Sequence, residues 1–89
     1  MFHIAIVDDD QSIHQKLEEM ITSILFKYPI HFTVSHFFSG NEFLTNKDTF
    51  SLIILDIEMK DMNYGFWDMI RRWKFLHCPV ALCSYEFLY

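Results

Sequence analysis

Acidic side chains follow two apolar runs of the sequence, and a hydroxyl follows a third. Asp8 and Asp9 come directly after the first run, Asp56 ends a later one, and Ser84 ends the last. Three carboxylates brought close together would repel one another unless a cation stood between them. Mg²⁺ prefers oxygen ligands of this kind and neutralises charge on a transferred phosphoryl group. These residue types therefore indicate a divalent-cation site beside a carboxylate, Asp56, that can accept a phosphoryl group.

Hydrophobic patterning predicts the elements that would bring these side chains together. Four short apolar runs, beginning near positions 2, 30, 51 and 80, are interpreted as β-strands. A short helix is expected around Phe43 and Leu44, and a third helix at positions 66–73. The first helix starts at Gln11, ends before Pro29 and carries an apolar stripe formed by Ile13, Leu17, Met20, Ile21, Ile24 and Tyr28. This alternation of strands and helices predicts a parallel sheet with helices on both faces. The acids would then lie together at the edge formed by the carboxyl ends of the strands.

Composition and charge exclude several classes of protein. A chain of 89 residues with 52% hydrophobic residues is expected to form one domain with a packed core. The net charge of −5 argues against an autonomous nucleic-acid-binding module, which normally has a basic face. No apolar run approaches the length of a membrane span, and no charged leader precedes an apolar stretch. Cys78 and Cys83 cannot build a disulfide framework, so we expect a reducing, cytoplasmic setting without membrane association.

The five histidines of the chain show no spacing typical of metal ligands. His14 shares a helix surface with Glu18, and His31 and His36 are expected on opposite faces of the second strand. We therefore expect no metal binding by histidine.

A family resemblance rests on two stretches and one spacing. The stretches are Ile4-Ala5-Ile6-Val7-Asp8-Asp9-Asp10 and Leu55-Asp56-Ile57-Glu58-Met59, and Ser84 follows Asp56 by 28 residues. From Met1 to about Tyr85 the chain resembles the receiver domain of bacterial two-component response regulators. It is most similar to the receivers that precede LytTR-type DNA-binding domains. The resemblance implies a flavodoxin-like α/β fold with strand order 2-1-3-4, lacking the family's fifth strand and last helix.

The same resemblance implies a role for each candidate site residue. Asp56 would accept a phosphoryl group from a sensor histidine kinase, and Ser84 would move toward that group as the switch hydroxyl. Asp9, Asp56 and the backbone carbonyl of Glu58 would bind Mg²⁺, with Asp8 acting through water. The chemistry would be self-directed phosphotransfer and autodephosphorylation, so we expect a phosphoacceptor and not an enzyme that turns over an external substrate.

The sequence departs from the family's pattern in four respects. The lysine that ends the family's fifth strand has no counterpart, because the chain ends first. Lys60 stands where the family usually has Pro, and Tyr64 stands where it has Gly, with Gly65 displaced by one. Tyr85 follows the switch residue where a small side chain is usual. We expect no output domain, so the resemblance implies one incomplete receiver domain over residues 1–89.

These departures leave alternatives open. The fourth strand would form a sheet edge and part of the first helix's apolar stripe would be exposed. We therefore expect the chain either to form a homodimer through that edge or to be only marginally stable. A truncated receiver could be inactive or act only as a protein-interaction module. A haloacid-dehalogenase-type phosphatase, with Asp8 as nucleophile and Asp10 as acid, is a third interpretation. Against it, we expect Asp10 mainly to cap the first helix.

Overall fold

The computed structural model describes residues 1–46, 48–56, 58–59, 68 and 79–83. Their elements, in chain order, are β1 (Phe2–Val7), α1 (Gln11–Leu25), β2 (Phe32–Phe37), α2 (Gly40–Thr45), β3 (Leu52–Asp56) and β4 (Val80–Cys83). The third helix predicted at 66–73 lies outside the described residues except for position 68. Within the described part of the chain, no helix combines the length and the apolar character needed to cross a bilayer.

The four strands form one sheet in the order β2-β1-β3-β4, with every pairing parallel. This order confirms the predicted flavodoxin-like fold class. β1 is central, and its last residue, Val7, pairs with Phe37 of β2 and with Leu55 of β3. β4 stands at one end of the sheet formed by the described residues, and association of a second copy along it stays a prediction.

The two faces of the sheet are covered by different helices. Successive side chains of a strand point to opposite faces, so Ile6 and Val7 of β1 belong to two separate hydrophobic clusters. Ile6 packs with Ile13 and Leu17 of α1 on one face. Val7 packs with Phe43 of α2 on the other. The expectation of helices on both faces is therefore confirmed for α1 and α2.

The first helix begins at the predicted cap and ends earlier than predicted. The carboxylate of Asp10 accepts hydrogen bonds from the Ser12 N–H at 2.9 Å and from the Ser12 hydroxyl at 2.7 Å. The helix ends at Leu25, and residues 26–29 form a turn before Ile30. Because a proline disfavours helical geometry at the residue before it, Pro29 ends the helix indirectly, through this turn.

The apolar stripe of α1 is buried only in its first half. Ile13 and Leu17 are buried, whereas Met20 and Ile24 are each 54% exposed; Tyr28, which lies in the turn after the helix, is 56% exposed. The expected exposure of part of this stripe is therefore observed, and it falls on the half of the helix nearest its C-terminus.

The second and third strands are shifted slightly from their predicted positions. β2 begins at Phe32, because the Ile30 N–H bonds the Tyr28 carbonyl at 2.8 Å and so belongs to the preceding turn. β3 begins at Leu52, one residue after the predicted start, and includes Asp56.

A cluster of phenylalanine rings anchors α2 to the sheet. Phe37 and Phe43 meet edge to face with ring centroids 5.2 Å apart, and Phe50 lies 5.8 Å from Phe37 and 6.0 Å from Phe43. Phe43 is completely buried. Such ring pairs add to the free energy gained by burying their area.

We expect Phe43→Ala to lower the free energy of unfolding by about 3–5 kcal/mol, because it leaves a cavity among these rings. A loss of that size approaches the whole stability of a small domain, so Phe43→Leu provides a milder variant that still unfolds cooperatively. Phe26→Ala is the control, since Phe26 is 86% exposed. Urea unfolding followed by circular dichroism checks this, and equal stability of the Phe43→Ala and Phe26→Ala variants would contradict it.

Candidate functional site

The carboxyl ends of β1 and β3 bring the predicted acids together. β1 ends at Val7, which pairs with Leu55, so Asp8 and Asp56 come side by side after these two partners. One carboxylate oxygen from each of Asp8, Asp9 and Asp56 lies within 4.8 Å of the other two. The convergence of these three residues, which the sequence predicted on the condition that β1 and β3 are neighbours, is therefore confirmed.

The three carboxylates differ in their access to solvent. Asp8 is 5% exposed and Asp56 is 6% exposed, whereas Asp9 is exposed. The cluster is thus closed on the side of the sheet and open at Asp9. A ligand would approach from that open side.

Backbone N–H groups orient the two buried carboxylates. The Asp10 N–H donates to Oδ1 of Asp8 at 2.8 Å, and the Glu58 N–H donates to Oδ1 of Asp56 at 3.0 Å. In both cases the donor lies two residues after the acceptor, the local pattern by which Asp side chains shape a turn. Each of the two acids therefore holds a backbone N–H group that follows it in the chain.

Burial and mutual repulsion make the ionised cluster costly. Burial raises the pKa of Asp8 to about 6, and the charges of Asp56, Asp9 and Asp10 add to this, against the hydrogen bond from the Asp10 N–H. Burial also raises the pKa of Asp56, as do the charges of Asp9 and Glu58, while the hydrogen bond from the Glu58 N–H lowers it. A cation placed among these oxygens would supply countercharge and so offset the cost of both causes.

The donor set fits a hard divalent cation. Mg²⁺ is usually held by one or two carboxylates together with water and substrate oxygens, and here three carboxylate oxygens converge. Glu58 lies beside the cluster, since its N–H donates a hydrogen bond to the Asp56 carboxylate. Coordination by its carbonyl oxygen and the water-mediated role of Asp8 stay predictions.

Several predicted features fall outside the described residues. β4 places Cys83 opposite Asp56 in the sheet. Ser84, the predicted switch hydroxyl that follows Cys83, is not among the described residues, and neither are Lys60, Tyr64, Gly65 and Tyr85.

Sequence reasoning missed a histidine beside the site. His14 is 3% exposed, and its Nε2 lies 2.7 Å from the carbonyl oxygen of Asp8. Its Nδ1 lies 2.7 Å from Nδ1 of His36, whose Nε2 is 3.4 Å from the Glu18 carboxylate. The available signal was position: His14 precedes the core residue Leu17 by three residues and so shares its helix face.

No protein-family model and no curated protein sequence matches the chain. Solved structures do match it. The BeF3-activated DrrB receiver domain is 28% identical, with a TM-score of 0.74, over 94% of this chain and 66% of that domain. The response regulator DrrB, an OmpR/PhoB homologue from Thermotoga maritima, is 27% identical with a TM-score of 0.74, over 94% of this chain and 36% of that one.

A third structure shows the same fold at lower identity. The chemotaxis response regulator CheY4 of Vibrio cholerae is 24% identical with a TM-score of 0.70, over 92% of this chain and 67% of that one. The chain thus spans about two thirds of the DrrB receiver domain and about a third of the whole DrrB regulator. The predicted closeness to LytTR-type receivers and the single-domain organisation stay predictions. In its strand order and overall structure the chain is similar to the response regulator receiver domains, whose fold it shares.

Proposed function

We propose that the chain is a phosphoryl-accepting receiver of a two-component phosphorelay, with Asp56 as the acceptor. The observation that carries the proposal is the convergence of one oxygen from each of Asp8, Asp9 and Asp56 within 4.8 Å at the ends of two neighbouring strands. A carboxylate that accepts a phosphoryl group needs countercharge for the phosphoryl oxygens, and this cluster can hold the cation that supplies it.

The proposed step is an in-line displacement at phosphorus. An oxygen of the Asp56 carboxylate attacks the phosphorus of a phosphohistidine on the sensor kinase, and the P–N bond breaks as the new P–O bond forms. The imidazole nitrogen leaves with the electron pair and takes up a proton. Attack of water on the acyl phosphate later releases inorganic phosphate and restores the carboxylate. The chemistry is self-directed, with no external substrate turned over.

The remaining residues would serve binding and response. Bound Mg²⁺ would neutralise charge that develops on the phosphoryl oxygens. Asp9 and Asp56 would hold it directly, with the Glu58 carbonyl as a further ligand and Asp8 acting through water. Ser84 would hydrogen-bond the transferred group and so couple phosphorylation to a change of shape. A cytoplasmic location follows from a histidine kinase as phosphodonor.

The arrangement of Asp10 favours this proposal over a phosphatase of the haloacid dehalogenase type. That reaction needs Asp10 as the acid beside a nucleophilic Asp8. The Asp10 carboxylate instead accepts hydrogen bonds from the N–H and the hydroxyl of Ser12, where it caps α1. A carboxylate held in this way caps the helix and is poorly placed to act as the acid. The interpretation with Asp8 as nucleophile is therefore weaker than the one with Asp56 as nucleophile.

We expect Asp56→Asn to abolish phosphorylation. Incubation of the chain with acetyl phosphate and Mg²⁺, followed by intact-mass measurement, should show one added phosphoryl group on the unmutated chain. The same treatment should leave the Asp56→Asn variant unchanged, because an amide cannot form the acyl phosphate. Asp10→Asn is the matched control, since Asn also caps helices and position 10 takes no part in the proposed chemistry.

Other results would point to the alternatives. An adduct that survives in Asp56→Asn but is lost in Asp8→Asn would indicate the phosphatase chemistry. An unmutated chain that gains no phosphoryl group would contradict the proposal and leave the protein-interaction module.

We expect the pH dependence of stability to reveal the cost of ionised Asp8. The pKa of Asp8 is raised to about 6 from an ordinary value of 3.8, so between these values the folded, metal-free chain holds a proton that the unfolded chain has lost. Its contribution to stability therefore increases as the pH falls through about 6. His14 acts in the opposite sense, because burial lowers its pKa and its protonation on acidification opposes folding.

Comparison with Asp8→Asn separates these two effects. In chelator-treated samples the variant should be more stable than the unmutated chain at about pH 7.5, and the difference should shrink toward about pH 5 as Asp8 takes up its proton. Saturating Mg²⁺ at the higher pH should also reduce the difference, since the cation binds the folded carboxylates. Thermal unfolding measures all three conditions. A difference that is independent of pH, or a more stable unmutated chain at high pH, would contradict the prediction.

A further inference from the structure

A chain of hydrogen-bonding groups runs from the surface of α1 to the loop that carries the acids. Glu18 on α1 faces Nε2 of His36 at 3.4 Å, and Nδ1 of His36 faces Nδ1 of His14 at 2.7 Å. Nε2 of His14 faces the carbonyl oxygen of Asp8 at 2.7 Å. Three elements meet here: α1, the β2 strand and the turn after β1.

The partners fix the positions of the protons on these rings. A carbonyl oxygen only accepts, so Nε2 of His14 carries the hydrogen that it donates to Asp8. The two Nδ1 atoms face each other at 2.7 Å, so only one of them carries a hydrogen, and a His14 ring with one hydrogen has it on Nε2. Nδ1 of His36 must therefore be the donor in the contact between the rings.

The carbonyl that His14 holds belongs to the peptide group joining Asp8 to Asp9. The N–H of Asp8 donates to the Phe37 carbonyl at 3.0 Å, so both main-chain polar groups of Asp8 are tied to neighbouring elements. The His14 ring is itself confined, because the ring of Phe38 lies 4.3 Å from it, centroid to centroid. The orientation of the peptide that carries two of the three clustered carboxylates thus depends on His14.

We propose that His14 is a positioning residue of the metal centre. Its Nε2–H holds the peptide between Asp8 and Asp9, and the contact of its Nδ1 with His36 keeps the ring in place. The inference rests on the proposed function, because the role it gives His14 is to pre-orient carboxylates for Mg²⁺. Groups that orient metal ligands commonly change metal affinity by about 10- to 100-fold when they are removed.

Two substitutions of His14 test this, because each places an amide nitrogen near the position of a different ring nitrogen. The amide nitrogen of Gln reaches roughly the place of Nε2, whereas that of Asn reaches roughly the place of Nδ1. His14→Gln should therefore keep the donor to Asp8 and bind Mg²⁺ nearly as well as the unmutated chain. His14→Asn should keep only the contact with His36 and lose about tenfold or more in affinity. His31→Asn changes an exposed histidine outside this network and is the control.

Isothermal titration of the full 89-residue chain with MgCl₂ gives the affinities, and thermal unfolding with chelator gives the metal-free stability of each variant. A purely structural role would make affinity follow stability, so both variants would weaken together. A positioning role separates them, with Gln rescuing the affinity that Asn loses. Equal Mg²⁺ affinity of His14→Asn and the unmutated chain would overturn the inference.

Nitrogen NMR of the imidazole rings supplies a readout independent of the metal. In the metal-free chain we expect His14 to show a protonated Nε2 and an unprotonated Nδ1, and we expect His36→Phe to disturb that tautomer. A protonated Nδ1 on neutral His14 would overturn the inference while leaving phosphorylation of Asp56 untouched. An unmutated chain that binds no Mg²⁺ would instead overturn the proposed function and the positioning role together.

Discussion

The main constraint on this structure is that it must hold three like charges close together although they repel one another. Asp8 and Asp56 are both almost inaccessible to solvent, Asp9 stands beside them, and one oxygen of each lies within 4.8 Å of the others. Repulsion and lost hydration oppose this arrangement, and the raised pKa values of Asp8 and Asp56 express that opposition. Only a scaffold that cannot relax by separating its two strands can hold the acids there, so the fold is best understood from what keeps β1 beside β3.

The apolar strands supply that scaffold. Ile4, Ala5, Ile6 and Val7 of β1 are at most 1% exposed, and Ile53 and Leu55 of β3 are fully buried. Separating the strands would expose these side chains, at about 25 cal/mol for each square ångström of apolar surface. The helices pack on opposite faces of these strands, through Leu17 on one face and Phe43 on the other, and so bury both faces. The apolar residues therefore stabilise the domain and, through it, the strained ionic cluster at its edge.

The sequence was informative where a local pattern determines the outcome. β1 and β4 have the predicted bounds because an apolar run ends in each case, and Asp10 caps α1 as its position directly before the helix predicts. The meeting of Asp8 with Asp56 needed one further step, that β1 and β3 are neighbours. The contact between His14 and His36 could not be predicted in this way. It depends on the rotation of α1 over the sheet and on the register of β2, which residues far apart in the chain determine together. The start of β2 was misplaced for a related reason, since the alternating pattern continues into residues that the turn uses.

The choice of a histidine at position 14 agrees with the charge that the site must keep. The Asp8 carbonyl lies in the buried part of the loop, where an unpaired acceptor would cost about 1–3 kcal/mol. Lysine or arginine could donate to it, but a fixed positive charge beside the carboxylates would lower their pKa values and compete with a cation for them. A neutral imidazole donates without bringing charge. Its second ring nitrogen also contacts His36, so β2 helps to fix the position of the imidazole. The network thus satisfies the backbone of the loop and leaves the negative charge of the cluster for a cation.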